Sequence, residues 1–318
     1  MSVLELSSTT QTHVLLAANP RAGSGRRRGR LEQLARALQA EGLVVESAGE
    51  LDRIGALADE WHAAGRLKAV VAAGGDGTVA EVVNRTAPGV PVAVFPLGTA
   101  NLLARYLKID PDPHRFARMV AAGRTVRLDA GRAGGRVFLL MVGCGFDTDV
   151  VGRLHGARQG HITPWSYAKP ILSAMRSYEY PPLRVYCDPT PGDNRPPVVA
   201  SWAFVFNLPC YAGGLQFAPQ AVGTDGRFDV CTFDRGGMWH GLRYLGSVLA
   251  RRHVSLSDCA LRPASRLRIE SDRPVAYQLD GDPGGLLPVE IENLPGRLTV
   301  IVPPDEASRF EPLGSNQS

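Results

Sequence analysis

Long apolar runs are missing from this chain of 318 residues. No stretch approaches the roughly 20 apolar residues that cross a bilayer as a helix, so any membrane contact is expected to be peripheral. The first dozen residues are polar and carry Glu5, unlike a secretory signal, and a cytoplasmic protein is expected. Paired cysteine spacing is also missing. Cys144, Cys187, Cys210, Cys231 and Cys259 are scattered without a CxxC, which argues against a disulfide framework and against a zinc site. The histidines show no metal-ligand spacing, and no G-x-S-x-G elbow occurs, which argues against a serine hydrolase. Lysine is scarce, and the net charge of +4 rests on arginine. Arg21, Arg26, Arg27, Arg28 and Arg30 cluster after the first apolar run. They read as a solvated helix start, a phosphate attractor or a contact for an anionic membrane. No aromatics interleave with them, so nucleic acid is not an expected partner.

What the chain does have is a change of texture near residue 125. Before it, apolar strand runs (His13 to Ala18, Leu43 to Glu46, Ala69 to Ala72, Val90 to Phe95) alternate with runs at helical spacing (Leu31 to Leu38, Ile54 to Trp61, Val79 to Val83, Asn101 to Tyr106). That alternation predicts an open parallel α/β sheet covered on both faces. After it, short β-rich runs separated by Pro and Gly predict an antiparallel sandwich or barrel, with helices near Tyr167 to Tyr178 and Met238 to Arg251. The expected domains are 1–128 (α/β) and 129–318 (β-sandwich-like), with a return of the last strand to the first domain left open.

The most informative motif is Gly74-Gly75-Asp76-Gly77-Thr78, at a strand-to-helix junction. Glycines there let the backbone approach a phosphate, and the helix N-terminus adds partial positive charge. Asp76 adds a carboxylate of the kind that serves Mg²⁺ beside phosphates. Thr78 and Glu81 have the spacing of a capping box with Thr78 as N-cap. Two other strand ends look similar: Asn19-Pro20-Arg21-Ala22-Gly23 and Pro96-Leu97-Gly98-Thr99-Ala100-Asn101. Three such turns in one parallel sheet would converge on one crevice.

These motifs, in this order, resemble the diacylglycerol kinase catalytic domain superfamily, which includes bacterial lipid kinases and sphingosine kinases. The resemblance runs through Val142 to Asp147, through Ala221 to Val230 and through Leu279-Asp280-Gly281-Asp282. It implies ATP on Asn19, Pro20, Arg21, Ala22 and Gly23, on Gly75, Asp76, Gly77, Thr78, Val79, Ala80 and Glu81, and on Thr99. It implies an active site in an interdomain cleft and a β-sandwich second domain. It also implies a structural Mg²⁺ on the Asp225 side chain and the carbonyls of Val222 and Arg227. An ordinary Asp-Gly turn is the equal alternative at Asp225.

Phosphoryl transfer to an alcohol needs alignment, cations and a carboxylate near the attacking oxygen. The family pattern supplies Leu-Asp-Gly-Glu, whereas this chain has Asp282 in the last place, one methylene shorter. The base is expected to be Asp282, with Asp280 as orienting partner or second carboxylate, or Asp280 itself. A plain Asp-Gly hairpin is the alternative. The expected activity is ATP- and Mg²⁺-dependent phosphorylation of a lipid hydroxyl at a membrane surface. An NAD kinase-like enzyme or a nucleotide sensor without catalysis are the competing readings, and a homodimer is left open. The apolar helix at Met238 to Arg251, with Arg243, Arg251 and Arg252, either lies on an anionic membrane or packs on its own domain.

Overall fold

The computed structural model describes residues 11–18, 25–47, 51–156, 164–190, 192, 194–211 and 214–310, with only the backbone of 25, 26, 52, 154–156 and 164–170. The chain divides into two compact units, Met1–Arg127 with Arg297–Ser318, and Leu128–Gly296. The stretch from Arg297 onward therefore groups with the first unit rather than closing the second.

In the first unit β1 (His13–Ala17), α1 (Gly25–Ala40), β2 (Val44–Ser47), α2 (Leu51–Ala63), β3 (Leu67–Gly74), α3 (Asp76–Arg85), β4 (Pro91–Pro96), α4 (Leu102–Tyr106) and α5 (Pro113–Ala122) follow in order. The strands pair in parallel as β2-β1-β3-β4, and Thr299 and Val300 add parallel to Pro91 and Val92 of β4. β3 and β4 are buried almost throughout. This is why their sequences run on as Val and Ala without alternating with polar residues. α3 buries Val79, Ala80, Val82 and Val83 on one face. Its last carbonyls, Val83 O and Thr86 O, both accept from Arg297 Nη2 at 2.6 Å. The strand order reverses between β1 and β3. That topological switch is where open α/β sheets bind ligands, beyond the carboxyl ends of the strands.

The second unit contains most of β5 (Thr125–Ala133), then β6 (Arg136–Phe138), β7 (Met141–Gly145), α6 (Phe146–Gly156), α7 (Pro164–Ser177), β8 (Leu183–Cys187), β9 (Val198–Ala200), β10 (Trp202–Phe206), β11 (Phe228–Phe233), α8 (Met238–Leu249), β12 (Cys259–Ala264), β13 (Arg266–Glu270), β14 (Ala276–Leu279), β15 (Asp282–Leu286) and the start of β16 (Val289–Ile301). One sheet is ordered β12-β11-β10-β7-β14-β15 and is antiparallel throughout. A second set pairs β9-β8-β13 with residues 289–292, also antiparallel. Val142, Val205 and Val230 from one sheet share a core with Val185, Ile269 and Ile291 from the other. This is the sandwich that the Pro/Gly-punctuated texture predicts.

Candidate active site

The glycine-rich junction sits at the carboxyl end of β3, beside the switch point. Gly75 caps α3 with extended dihedrals (φ −94°, ψ −175°), and its carbonyl accepts from Thr78 N–H at 2.9 Å. Thr78 is therefore not the N-cap, and the expected capping box does not form. Gly75 contributes no side chain, and Glu81 instead pairs with Arg85 one turn on. The reason is steric. A Cβ on Gly74 would lie 2.1 Å from Thr78 Oγ1, so the hydroxyl packs back onto the end of β3.

The second small-residue loop packs directly on the first. A Cβ on Gly98 would lie 2.5 Å from Gly75 Cα, and Leu97 N–H donates to Gly74 O at 2.9 Å. Gly98 must be glycine because its backbone approaches Gly75 too closely for a side chain, whereas a Cβ on Gly75 would meet Gly98 Cα only at 3.4 Å. The Gly98-Thr99-Ala100-Asn101 turn is closed reciprocally: Asn101 Oδ1 accepts from Gly98 N–H at 2.9 Å and Nδ2 donates to Gly98 O at 2.8 Å. Asn101 adopts φ 47°, a left-handed conformation that Asn tolerates better than most residues.

Asp76 joins the two loops. Its carboxylate accepts from Leu102 N–H at 2.9 Å and Leu103 N–H at 3.0 Å, capping α4 from across the junction. The carboxylate read in the sequence as a metal ligand thus first serves α4's N-terminus.

Around this junction Gly75, Asp76, Gly77 and Thr78 remain half-buried and Thr99 is exposed, whereas Val79 and Ala80 are buried in the core. Val79 N–H already donates to Gly75 O at 3.3 Å, so the backbone donors left for a ligand are those of the first turn, Gly75 to Gly77. A cavity of about 350 Å³ opens beside the second loop, lined by Thr99, Ala100, Ala104, Ile109, Arg30 and Arg105 among others. From α1, Arg30 lies over the Phe95 ring at 5.3 Å, and Arg27 Nη2 reaches Ala73 O at 3.4 Å. Arg28 instead pairs with Glu32 at the surface. The basic cluster is thus split: Arg27 and Arg30 face the loops and Arg28 faces solvent. Asn19, Pro20, Arg21, Ala22 and Gly23 lie outside the described residues.

In the second unit Asp280 and Gly281 form the two-residue turn between β14 and β15, both at positive φ (53° and 92°) with Leu279 paired to Asp282. This is a type I′ hairpin, for which Asp-Gly is a favoured pair. The Asp280 carboxylate accepts from the N–H groups of Leu139 (2.6 Å), Leu140 (2.8 Å) and Met141 (2.9 Å). Asp280, expected as an alternative base or an orienting partner, anchors the hairpin to the strand beside it through these three bonds. The Asp282 carboxylate, half-buried on the next residue but one, has no hydrogen-bond partner among the described residues.

Asp147 had a place in a sequence motif but no assigned role. It opens α6 and is almost wholly buried. It accepts from the Tyr211 hydroxyl and, at 2.7 Å, from Gln278 Nε2. Burial pushes its carboxyl above the usual range, against the pull of those two hydrogen bonds. Gln278 Oε1 in turn accepts from Gly281 N–H at 2.6 Å. A continuous polar chain therefore runs from Tyr211 through Asp147 and Gln278 to the turn that carries Asp282. Gly143 is glycine because its Cβ would meet Asp147 Oδ2 at 1.8 Å.

The Asp225 loop is an Asx turn: Asp225 Oδ1 accepts from Arg227 N–H at 3.0 Å, with Gly226 at φ 73°. The sequence reading missed Asp129, whose buried carboxylate accepts from Gly226 N–H at 2.7 Å and Gly296 N–H at 2.8 Å. Burial raises its pKa, and the charge of Asp225 adds to the rise. A lone carboxylate inside the strand run Val126 to Gly131 is the signal that marks it. Among the described residues no group of three His, Cys, Asp or Glu side chains could hold a metal. One Asp225 carboxylate with backbone carbonyls is an all-oxygen donor set, and it suits a largely hydrated Mg²⁺.

With this geometry in view, known proteins supply the family. Residues 13–133 match the diacylglycerol kinase catalytic domain, and residues 140–302 match the YegS C-terminal NAD kinase beta sandwich-like domain. The chain belongs to the family that joins a diacylglycerol kinase catalytic domain to a YegS C-terminal NAD kinase beta sandwich-like domain. A diacylglycerol kinase of Bacillus subtilis (strain 168) is 28% identical over 251 residues, covering 76% of this chain and 80% of that one. A diacylglycerol kinase of Staphylococcus aureus (strain Newman) is 26% identical over 243 residues, covering 74% and 75%. In fold, the chain is similar to a diacylglycerol kinase of Bacillus anthracis str. Sterne (TM-score 0.66, 21% identity, 93% and 98% covered). It is also similar to an NAD kinase from Archaeoglobus fulgidus in complex with ATP (TM-score 0.52, 11% identity, 95% and 97% covered). The curated relatives support a kinase. No helix among the described residues is long and apolar enough to cross a membrane.

Proposed function

We propose that this protein transfers the γ-phosphate of ATP to the hydroxyl of a lipid, of the diacylglycerol or a related glycerolipid or sphingoid class. The observation that carries the reading is the junction of Gly75 and Gly98 at the switch point of a parallel sheet, with Arg27 and Arg30 directed to its edge. Two close-packed glycine turns, a helix N-terminus and arginine side chains suit a polyphosphate.

The acceptor oxygen attacks the γ-phosphorus, the bond to the ADP oxygen breaks, and the acceptor proton passes to a carboxylate. Asp282 is assigned that role because its carboxylate is unengaged, whereas Asp280 is committed to three backbone N–H groups. Asp76 is assigned a positioning role, since it fixes the two loops against each other. Asp225 with the carbonyls of Val222 and Arg227 would hold Mg²⁺, which supplies charge neutralisation when bound. The diacylglycerol kinase relatives, at 26–28% identity, favour a lipid acceptor over NAD. The shared fold of an NAD kinase keeps NAD as the soluble acceptor to test against it. A γ-phosphate transfer assay with diacylglycerol, a sphingoid base and NAD side by side decides between them.

A further inference from the structure

One helix face of the second unit has no protein partner among the described residues. On α8, Gly241, Tyr244 and Val248 are buried, and they recur at helical spacing. The opposite stripe is apolar as well. Trp239 is 77% exposed, Leu242 37% and Leu249 67%, and Val254 just beyond the helix is 51% exposed. Residues 239, 242 and 249 lie on one side of the helix, because three and seven residues are near-integral turns. α7 packs beside the buried face of α8, with Met175 against Gly241. A Trp this exposed at the first turn of a helix is out of place facing bulk water, and its ring suits a lipid–water boundary.

The charges around the stripe choose the occupant. From residue 235 to residue 257 the chain has no Asp or Glu, but carries Arg235, Arg243, Arg251 and Arg252. Arg243 is committed to a bidentate pair with Asp258 at 2.9 and 2.6 Å, and Arg235 stands 4.0 Å from the same carboxylate. Arg251 and Arg252, at the C-terminal end of the helix, are exposed and make no ion pair among the described residues. Asp234, at the end of the preceding strand, is the exposed acidic residue nearest in sequence. Apolar side chains flanked by unpaired arginines are complementary to an anionic surface and not to a neutral or basic one, and the exposed Trp239 ring selects a bilayer with anionic headgroups over an acidic protein.

We infer that the outward face of α8, centred on Trp239, Leu242 and Leu249 with Arg251 and Arg252, docks this protein on an anionic lipid bilayer. The surface rests on the lipid-kinase reading for its purpose, since it would bring the enzyme to a membrane-borne acceptor, but its binding can be measured without any catalysis.

The test is co-sedimentation of the full chain with phosphatidylcholine vesicles, with and without phosphatidylglycerol. The Trp239→Ala/Leu249→Ala and Arg251→Gln/Arg252→Gln double variants are run alongside, and all four side chains are exposed, so the fold is kept. Wild type is expected to sediment with the anionic vesicles, and each double variant to lose about tenfold in apparent affinity. High salt should weaken wild type more than the arginine-less variant. A short-chain acceptor in detergent micelles should be phosphorylated equally by all three proteins. Equal sedimentation of wild type and both variants would overturn the proposal. So would wild-type dimers in light scattering that Trp239→Ala dissolves, because the occupant would then be a second copy. A chain that binds anionic vesicles and phosphorylates no lipid would defeat the lipid-kinase reading while supporting the surface. One that phosphorylates the micellar acceptor and ignores every vesicle would do the reverse.

Discussion

Gln278 accepts from the backbone N–H of Gly281 at 2.6 Å, and so fastens the turn that carries Asp282 to the interior of the second unit. Because the other end of the same amide donates to buried Asp147, the orientation of the Gln278 side chain is fixed from both sides. Neither bond can be exchanged for water, since Gln278 is 1% exposed.

Removing that link should be felt in catalysis more than in nucleotide binding. Gln278→Leu is expected to lower kcat by about 10²-fold, the size of effect that a displacement of roughly 1 Å produces, with little change in the Kd for ATP. It should also cost about 1–3 kcal/mol of stability, because Asp147 loses a donor in a buried site. Steady-state kinetics, ATP titration by calorimetry and urea denaturation check the three parts. An unchanged kcat would mean that the turn holds itself.

Gly98→Ala should damage the first unit instead. The new methyl meets Gly75 Cα at 2.5 Å, backbone against backbone, so no rotamer relieves the contact. The expected result is loss of ATP binding by at least about tenfold, with an overpacking cost of about 1–3 kcal/mol. Calorimetric titration of the variant with ATP measures it, and binding equal to wild type would show that the loops need not touch.

Asp147 makes a pH-dependent contribution whose sign is fixed by burial. Its folded pKa is raised, so the folded state holds the proton after an unfolded chain has released it near about pH 4. Its stabilising share is therefore full below the unfolded pKa and is lost as pH rises through the folded value. Asp147→Asn, which resembles the protonated acid, should flatten that decline. The check is the difference in Tm between variant and wild type from about pH 4 to about pH 7, which should move in the variant's favour as pH rises. A difference that does not change with pH would contradict it.

Asp258 has the opposite sign. The Arg243 guanidinium holds its carboxyl down to about 2, with the Tyr244 hydroxyl adding a further hydrogen bond. Its contribution is present above the ordinary carboxylate pKa and disappears as pH falls through about 2. Asp258→Asn should therefore lose stability at neutral pH and converge with wild type in strong acid. Thermal melts across the acid range test this, and a gap that persists in acid would rule out the ion pair as its cause.

Much of this was legible in the sequence, for identifiable reasons. Strands buried on both faces write themselves as unbroken Val/Ala runs, and the two glycine turns follow two of them. α5 was missed although Asp112, Pro113 and Gly123 supply its cap, its first residue and its left-handed stop. Those signals are local and lie in a stretch to which the apolar pattern assigned no element. What could not be read was which carboxylate does what. Asp76, Asp280 and Asp282 look alike along the chain, but the first caps α4, the second is saturated by three backbone donors and the third is unengaged. The partners of Asp280 lie about 140 residues away along the chain, beyond any local pattern. Thr78 failed as a cap for a similar reason: its hydroxyl packs on Gly74, a contact that the capping-box spacing does not reveal.

The central claim is lipid phosphorylation with Asp282 taking the acceptor proton. The direct test is γ-phosphate transfer from labelled ATP to diacylglycerol, a sphingoid base and NAD, by wild type and Asp282→Asn, with ATP binding measured in parallel. The expected result is a labelled lipid from wild type and a loss of at least about 10²-fold in kcat for Asp282→Asn at unchanged ATP affinity, the range general-base removal produces. Preferential labelling of NAD, or lipid transfer that survives Asp282→Asn intact, would contradict it.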